Sequence, residues 1–356
     1  MKNRFLLLMG LICAVLLAVS GTTAAAAEDA VEPLLPLPEL LEGAEGTMVT
    51  IDGEDPMIGP HEKYYTFRED MKTAASYVDP SISVVIGRGR FKDTDYTYAR
   101  VRIASAAQLR TLLASPLGSE NEALGSAMAK RVRAVVALNG DFAAKQVRGT
   151  VIRQGEVLRL NSDGEDDVLI VDAQGDLHIL EKGTNAQIEA FEGEILHSFT
   201  FGPALIVEGE PRYGSVDRAK ATAKDAQRVA FCQTGPLEYL LMTSEGPEDK
   251  GSNGLKLDEF VELLAHFPEI RSAYNLDGGS SATLVFRKDD NNWRKVNSPY
   301  TRKERNIKDI IYFADAWEPA PDPTPTPEPE AAPEEGPENE IPEGGEPAAE
   351  EPPEGT

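Results

Sequence analysis

The sequence has few cysteines and few histidines, and each shortage disfavours a class of protein. Of its two cysteines, Cys13 lies in an N-terminal apolar run and Cys232 stands alone in the remainder, so the remainder can form no intramolecular disulfide. The four histidines are scattered, with no i, i+4 pair and no neighbouring cysteine, which disfavours a histidine-based metalloenzyme. The fold must therefore be stabilised by a hydrophobic core, for which the chain is long enough.

Runs of basic residues are also missing. The formal net charge of the 356 residues is −25. Residues 318–356 contribute thirteen acidic side chains and no Lys or Arg, and the rest of the chain is still acidic. This balance argues against nucleic acid or an anionic membrane as the partner. No apolar run after the first is long enough to span a bilayer.

The N-terminus has the pattern of a secretory signal peptide. Lys2 and Arg4 precede an apolar run from Phe5 to Val19, and small residues follow up to Ala27. This order predicts a signal peptide over residues 1–27 that is cleaved before Glu28. We therefore expect a secreted or extracytoplasmic protein, typical of a bacterial cell envelope.

Composition divides the remaining chain into three parts. Residues 28–60 are rich in Pro, Gly and acids and predict an irregular N-terminal segment. Residues 61–316 predict a single α+β domain with mixed, largely antiparallel sheets and a few helices packed against them. Residues 317–356, almost entirely Pro, Glu, Ala and Gly, predict a disordered tail. The oligomeric state has no signature in the sequence.

Apolar periodicity predicts the main elements of that domain. Helices are expected at 105–114, where Ser105 and Gln108 form a capping box, at 120–130, and from Leu257 to Phe267. Hairpins are expected to turn at Gln154-Gly155 and at Gln174-Gly175. Strands are expected at 63–67, 81–87, 95–103, 133–138, 199–207, 228–232, 239–243 and 309–313.

The stretch with the richest chemistry runs from Ala273 to Phe286. It predicts a strand, a tight polar loop and a second strand, with Asn275 and Asp277 on one face. Gly278 and Gly279 let a ligand approach the main chain, and Ser280 and Ser281 add two hydroxyls. An Asp-Gly hairpin turn is the alternative that this stretch alone leaves open.

A second strand ends in the same chemistry. Asn139 and Asp141 flank Gly140 after an apolar run, and Glu245 lies in a Gly-containing loop after another strand. A pair of carboxylates is the usual equipment for hydrolysis at an anomeric carbon, and the same oxygens could bind Ca²⁺ or Mg²⁺. Asp141, Asp277 and Glu245 are thus candidate catalytic residues, and Asp141 and Asp277 are candidate ligands of a divalent cation.

Three arginines and one serine-containing segment are the remaining candidates for functional residues. Arg153, Arg228 and Arg305 lie near strands or turns and could bind a phosphate, although a surface ion pair is the alternative for each. The segment Gly278 to Ala282 approximates the nucleophile elbow of a serine hydrolase. That class is disfavoured because no histidine follows His266 and the segment leads into a strand instead of a helix.

Five motifs in order resemble the phosphodiester glycosidase family. They are the strand end Asn139 to Phe142, the Gly-x-Val-Ile-Arg-x-Gly pattern from Gly149 to Gly155, the Phe201 to Leu205 segment, the Asn-Leu-Asp-Gly-Gly signature from Asn275 to Gly279, and Glu304-Arg305 before the last strand. The resemblance covers roughly residues 80–314.

This resemblance implies an exported hydrolase that cleaves the bond between a sugar C1 and a phosphodiester, in a glycan related to the cell wall or to exopolysaccharide. It implies that Asp277 and Asp141 act as catalytic carboxylates and that Asn139 and Asn275 orient the substrate. Gly278, Gly279, Ser280 and Ser281 would line the sugar–phosphate pocket, with Arg153, Arg228 and Arg305 on phosphate.

Three positions depart from the family pattern, and at the first of them Ser280 stands where the family often has a third glycine. Around Arg228 the usual Pro-Arg-Thr-Ala-Ile-Gly is reduced to Arg-Val-Ala-Phe-Cys, and an expected Asp-Gly-Arg reads Glu245-Gly246-Pro247. The alternative function is therefore a catalytically weakened glycan-binding or envelope-associated protein on the same fold.

Overall fold

The computed structural model describes most of the central chain. The described residues are 31–51, 58–68, 73–143, 145–214, 223–247, 249, 251–288, 292–297 and 303–321. The predicted signal peptide and the predicted tail beyond residue 321 lie outside them.

The domain is built mainly from β-strands, which we number in chain order. They are β1 Gly46–Met48, β2 Tyr65–Arg68, β3 Thr73–Val78, β4 Ile82–Phe91, β5 Thr94–Ile103, β6 Leu109–Leu113, β7 Ala123–Leu124, β8 Val136–Asn139, β9 Val151–Arg153, β10 Glu156–Arg159, β11 Val168–Asp172, β12 Leu177–Leu180, β13 Ile195–Phe199, β14 Ala204–Val207, β15 Glu210–Pro211, β16 Val229–Gly235, β17 Glu238–Ser244, β18 Ser272–Asn275, β19 Leu284–Arg287, β20 Trp293–Lys295, β21 Asn306–Ile307, β22 Asp309–Phe313 and β23 Trp317–Pro319.

Two large sheets organise these strands. One has nine strands in the order β15-β14-β18-β16-β17-β5-β4-β3-β2, and the other has five in the order β20-β19-β8-β22-β6. Strands β11, β12 and β13 form a three-stranded sheet, and β9 pairs with β10. Neighbouring strands in the two large sheets run antiparallel where the structure describes them. The prediction of largely antiparallel sheets with few helices is confirmed. The described pairs in the two large sheets are antiparallel, so these sheets are not mixed.

Alternation along the strands places one core on each face of the nine-stranded sheet. Tyr239 and Leu241 belong to the core shared with Val136 and Leu284 of the five-stranded sheet. Their neighbours Leu240 and Met242 point the other way, into a core with the helix Leu257–Ala265. Successive side chains of a strand face opposite sides, so one strand contributes to both cores. A shorter helix, Gly125–Arg131, covers the outer face of the five-stranded sheet through Met128 and Ala129.

Three α-helices lie in the described residues, and two of the three predicted helices needed correction. The helix expected at 105–114 is only a 3-10 turn, Ala106–Gln108, although its capping box at Ser105 forms. The following residues become strand β6 because they pair with β22 at the sheet edge, and this pairing overrides the local helix signal. The helix expected at 120–130 begins only at Gly125, since Ala123–Leu124 pairs with β21. The helix expected from Leu257 is confirmed as Leu257–Ala265, and Asn185–Glu189 was not anticipated.

Both hairpins are confirmed, and the ends of the domain differ from the expected boundaries. Strands β9 and β10 turn at Gln154-Gly155, and β11 and β12 turn at Gln174-Gly175. Strand β1 lies inside the segment expected to be irregular, and β23 lies beyond residue 316. They pair with each other from Gly46↔Pro319 to Met48↔Trp317. The compact unit that contains the described strands extends to Ala320.

No helix in the described ranges combines the length and apolar character needed to cross a membrane.

A buried carboxyl pair near the end of this domain makes stability depend on pH. Tyr77 Oη lies 2.7 Å from Asp79 Oδ2 and 2.8 Å from Asp315 Oδ2, and its single proton can be donated to only one of them. Burial and the neighbouring Asp79 raise the pKa of Asp315 to about 8. An unfolded chain ionises this carboxyl near pH ~4, so the folded state binds the proton more tightly. Stability should therefore fall as pH rises from about 4 to about 8.

We expect Asp315→Asn to flatten this decline, which for one group is at most about 1.4 kcal/mol per pH unit. The measurement is urea unfolding of both proteins between pH 5 and 8. Equal slopes for the two proteins would contradict the prediction.

Candidate active site

The two predicted strand ends lie side by side, although they belong to different sheets. Strand β18 ends at Asn275 in the nine-stranded sheet, and β8 ends at Asn139 in the five-stranded sheet. Asn139 Nδ2 donates to Asp277 O at 2.7 Å, and Asp277 N donates to Gly140 O at 3.3 Å. The two Asn-x-Asp segments therefore lie in direct contact.

The loop after β18 is a crossover between the two sheets. Strand β18 pairs with β14 and β16, whereas β19 pairs with β8 and β20, so the two strands do not pair with each other. The Asp-Gly hairpin alternative is thus excluded, and the predicted strand–loop–strand order is confirmed. Gly279 has φ +57°, a left-handed conformation that favours glycine. Gly278 admits no side chain, because an added Cβ would lie 2.6 Å from Gln227 O.

The side-chain amides of Asn139 and Asn275 hold backbone segments of the protein in place. Asn139 is 1% exposed. Its Oδ1 accepts from Thr283 N at 3.0 Å while its Nδ2 holds Asp277 O, so one amide fixes both ends of the loop. Asn275 Nδ2 donates to Gly202 O at 2.6 Å and thereby fixes the Phe201–Pro203 segment, which contains a cis Gly202-Pro203 bond. Only Asn275 also lines the adjacent cavity.

A cavity of about 760 Å³ opens beside this loop. This volume is in the range of small-molecule sites. Its walls come from five short segments, and its polar lining contains more acids than bases. The lining residues are Glu165, Asp166, Asp167, Glu181, Lys182, Phe201, Gly202, Pro203, Lys224, Asp225, Ala226, Arg228, Asn275, Leu276, Asp277, Gly278 and Gly279.

Asp277 is the predicted catalytic carboxylate that reaches this cavity. Burial raises the pKa of Asp277, while the Ser281 hydroxyl and the charge of Arg305 oppose that rise. The nearby acids Asp141 and Glu122 reinforce it. A partly exposed carboxyl with a raised pKa on a cavity wall is a stronger base than an ordinary aspartate and is suited to proton transfer.

Arg228 and Arg305 both stay near the loop, but only Arg228 lines the cavity. Arg228 is 8% exposed, and its guanidinium is anchored by Nε on Leu255 O at 2.9 Å and by Nη2 on Lys224 O at 2.6 Å. Arg305 is exposed and donates through Nη1 to Ser280 Oγ at 2.7 Å. Its neighbour Glu304 accepts from Ser126 N and Oγ, both at 2.6 Å, which ties this segment to the first turn of the helix Gly125–Arg131.

Asp141 and Arg153 lie behind the site and face each other. Arg153 Nη2 donates to Asp141 Oδ1 at 2.9 Å, and both side chains are nearly inaccessible to solvent. Asp141 Oδ2 accepts from Thr200 N at 2.8 Å. The cavity lining includes neither residue. The structure thus places Asp141, the predicted second catalytic carboxylate, and Arg153, a predicted phosphate ligand, in a buried ion pair and not on the cavity that Asp277 lines.

Glu245 is also placed away from the cavity lining. It is 5% exposed, and its backbone N donates to Asp95 O at 2.8 Å. The third predicted catalytic carboxylate therefore does not share the cavity with Asp277. Ser281 is 5% exposed and lies outside the lining, although its hydroxyl influences Asp277.

The candidate cation site does not fit the geometry. Within the residues that the structure describes, no group of three or more His, Cys, Asp or Glu side chains could hold a metal ion. Both oxygens of Asp141 accept hydrogen bonds from Arg153 and Thr200, and the adjacent guanidinium charge disfavours a cation there.

Sequence reasoning missed several lining residues and one buried acid. Asp166, Lys182 and Lys224 reach the cavity from loops in which nothing distinguished them from surface charges. Phe201 was visible as part of a motif but had no assigned role. Asp309 opens strand β22 and lies against the Asn139–Phe142 segment, to which it is hydrogen-bonded.

Fold and site together define an antiparallel β-sheet protein in which two strand ends place one carboxylate on a polar cavity. The chain belongs to the phosphodiester glycosidase family, whose model matches residues 132–314, just over half of the sequence.

The solved structures that resemble this chain are distant from it in sequence. The catalytic domain of zebrafish N-acetylglucosamine-1-phosphodiester alpha-N-acetylglucosaminidase, auto-inhibited by its pro-peptide, aligns with a TM-score of 0.53 and 17% identity over 67% of this chain and 84% of that one. A hypothetical protein from Synechocystis gives a TM-score of 0.47 and 16% identity over 67% of this chain and 63% of the other. A search of curated proteins found no match. At 17% identity the zebrafish structure shows the fold alone.

Proposed function

We propose that this protein is an exported phosphodiester glycosidase that hydrolyses the bond between a sugar C1 and the oxygen of a phosphodiester. The observation that carries the proposal is the position of Asp277, whose carboxyl has a raised pKa and shares a cavity wall with the buried cation of Arg228. Family membership supports the reaction class. The substrate class expected for an exported member is a glycan of the cell wall or of exopolysaccharide.

The reaction needs little proton donation to the leaving group. A phosphomonoester departs as a stabilised anion with the electron pair of the C1–O bond, and nearby positive charge favours its departure. Arg228, with Lys224 and Lys182 on the same lining, supplies that charge. Asp277 in its carboxylate form takes a proton from the water that attacks C1. The products are a free sugar and a phosphomonoester.

Hydrolysis in ¹⁸O-labelled water tests this proposal. The purified protein is given a panel of sugar-1-phosphodiesters and nucleotide sugars, and the products are analysed by mass spectrometry. Label on the sugar C1 hydroxyl supports a glycosidase, whereas label on the phosphate shows a phosphodiesterase and overturns the proposed bond cleavage.

One specific observation favours the alternative, a glycan-binding protein on the same fold. Of the three carboxylates predicted to be catalytic, the cavity lining includes only Asp277. No turnover across the panel, together with saturable binding of the same compounds by calorimetry, would support this alternative and exclude the enzyme.

Arg305 offers a test of the role of Asp277 through pH dependence. Its positive charge stabilises the Asp277 carboxylate and partly offsets the effect of burial. Removing the charge in Arg305→Gln should raise the pKa of Asp277 further, so the acid limb of the kcat/KM profile should move to higher pH. The profile is measured for both proteins at constant ionic strength. A limb that stays in place, or moves to lower pH, would show that Asp277 is not the titrating base.

A further inference from the structure

Asp309 is a buried acid that supports the site without reaching the cavity. It is the first residue of β22 and is 3% exposed. Its Oδ2 accepts from Asp141 N at 3.2 Å, its Oδ1 accepts from Phe142 N at 3.1 Å, and its backbone O accepts from Gly140 N at 3.0 Å. Three successive amides of the β8 strand end therefore bind one aspartate.

The strand end is shaped around this carboxyl group. A Cβ added at Gly140 would lie 2.2 Å from Asp309 Oδ2, so only glycine allows this approach. Phe142 has φ +62°, a left-handed conformation that is unfavourable for a bulky residue. The surrounding contacts, which include Asp309, must compensate for that strain. The strand end from Asn139 to Phe142 thus makes two contacts. It binds Asp309 on one side and the loop that carries Asp277 on the other.

Charge balance around Asp309 favours a shared proton. Arg153 Nη2 lies 2.9 Å from Asp141 Oδ1 and 3.5 Å from Asp309 Oδ2, and all three side chains are almost fully buried. In this trio, two carboxylates and one guanidinium would carry one uncompensated charge, whereas one proton makes the trio neutral. The half-buried Arg159 is a second cation near Asp141, but its guanidinium is hydrogen-bonded to backbone oxygens instead of to either carboxyl group.

The pKa values of the surrounding groups agree with that count. Burial, followed by the adjacent Asp141, raises the pKa of Asp309 well above its usual range, with Arg153 opposing. The other titratable and charged groups nearby are Arg159, Asp277 and His197. His197 is neutral because burial lowers its pKa to about 3.

We propose that Asp309 is a positioning residue whose carboxyl, sharing one proton with Asp141, holds the β8 strand end in the place from which it fixes Asp277. The connection is direct, since Gly140 O accepts from Asp277 N and Asn139 Nδ2 donates to Asp277 O. A shift of the strand end would move the carboxylate on the cavity wall. The catalytic consequence rests on the proposed function, whereas the structural one does not.

Kinetics of two Asp309 variants test the catalytic consequence. Asp309→Ala removes both side-chain anchors and should lower kcat by about 100-fold, the scale expected for misplacing a reacting group by roughly 1 Å. KM should change less than about twofold, since Asp309 does not line the cavity. Asp309→Asn stays neutral and keeps one of the two side-chain acceptors, while its NH2 group leaves the other backbone N–H without an acceptor, so it should lose less of kcat than Asp309→Ala.

The pH profile separates positioning from mere stability. Ionisation of Asp309 in the wild type would place two carboxylates together, so kcat should fall on the alkaline side, and Asp309→Asn should lose that fall. The matched control is Asp315, a buried acid of the other carboxyl pair. Asp315→Ala should lower stability with kcat unchanged. Equal loss of kcat in Asp309 and Asp315 variants, or full kcat in Asp309→Ala, would overturn the proposal.

Two measurements decide the inference without any substrate. Infrared difference spectra of wild type against Asp309→Asn at neutral pH should show loss of a protonated-carboxyl band. Hydrogen exchange of peptides covering 272–287 should be faster in Asp309→Ala than in Asp315→Ala. If no substrate is turned over, the proposed function fails while these measurements still stand. An unchanged band with unchanged exchange would overturn the positioning role, whatever the activity.

Discussion

Asp277→Asn should strongly reduce turnover while leaving the fold intact. A positioned acid or base contributes about 10²–10⁴-fold to the rate, and we expect kcat to fall by that factor. Burial disfavours the charged form of Asp277, so a neutral amide of the same shape removes a cost from the folded state. Stability at neutral pH should therefore be equal or higher, a combination typical of functional residues. The measurements are steady-state kinetics and thermal unfolding on the same preparations.

The control for this variant is Asp93→Asn. Asp93 sits in an exposed turn with φ +56°, which asparagine tolerates as well as aspartate, and it does not line the cavity. Its kinetics should match the wild type. Wild-type turnover in Asp277→Asn would eliminate Asp277 as the base and, with it, the mechanism proposed above.

Arg153→Met should be the most destabilising single change among those considered. It leaves the buried Asp141 without the cation at 2.9 Å and also removes the hydrogen bond to Ser198 O. Breaking a buried ion pair by removing one partner costs about 3–5 kcal/mol, because the other charge stays buried and uncompensated. The free energy of unfolding in urea measures the effect.

Two further variants show whether the loss of stability comes from the uncompensated charge of the buried Asp141. Adding Asp141→Asn to Arg153→Met should recover part of the stability, since a neutral pair costs less to bury. Arg90→Met removes an exposed guanidinium that pairs with Asp95 at 2.7 Å, and such surface pairs contribute less than about 1 kcal/mol. Similar losses in Arg90→Met and Arg153→Met would refute the buried-pair explanation.

Local sequence predicted much of the β-structure and the meeting of the two motifs. Strands such as Thr94–Ile103 and the hairpins at Gln154-Gly155 and Gln174-Gly175 are encoded by alternation and by turn residues a few positions apart. The helix expected after Ser105 failed because its capping box is local, whereas β6 forms through pairing with β22 far along the chain.

The different roles of Asp141 and Asp277 could not be predicted from the motifs. Asp141 and Asp277 have the same surroundings in sequence, an apolar strand, an Asn two residues earlier and an adjacent glycine. The sequence by itself determined the family, the antiparallel character and the loop that carries Asp277. Only the tertiary structure decided that Asp277 faces the cavity while Asp141 is turned toward Arg153 and Asp309. The physical reason is that burial and charge pairing depend on partners distant in the chain, and Asp309 contacts Asp141 across 168 residues.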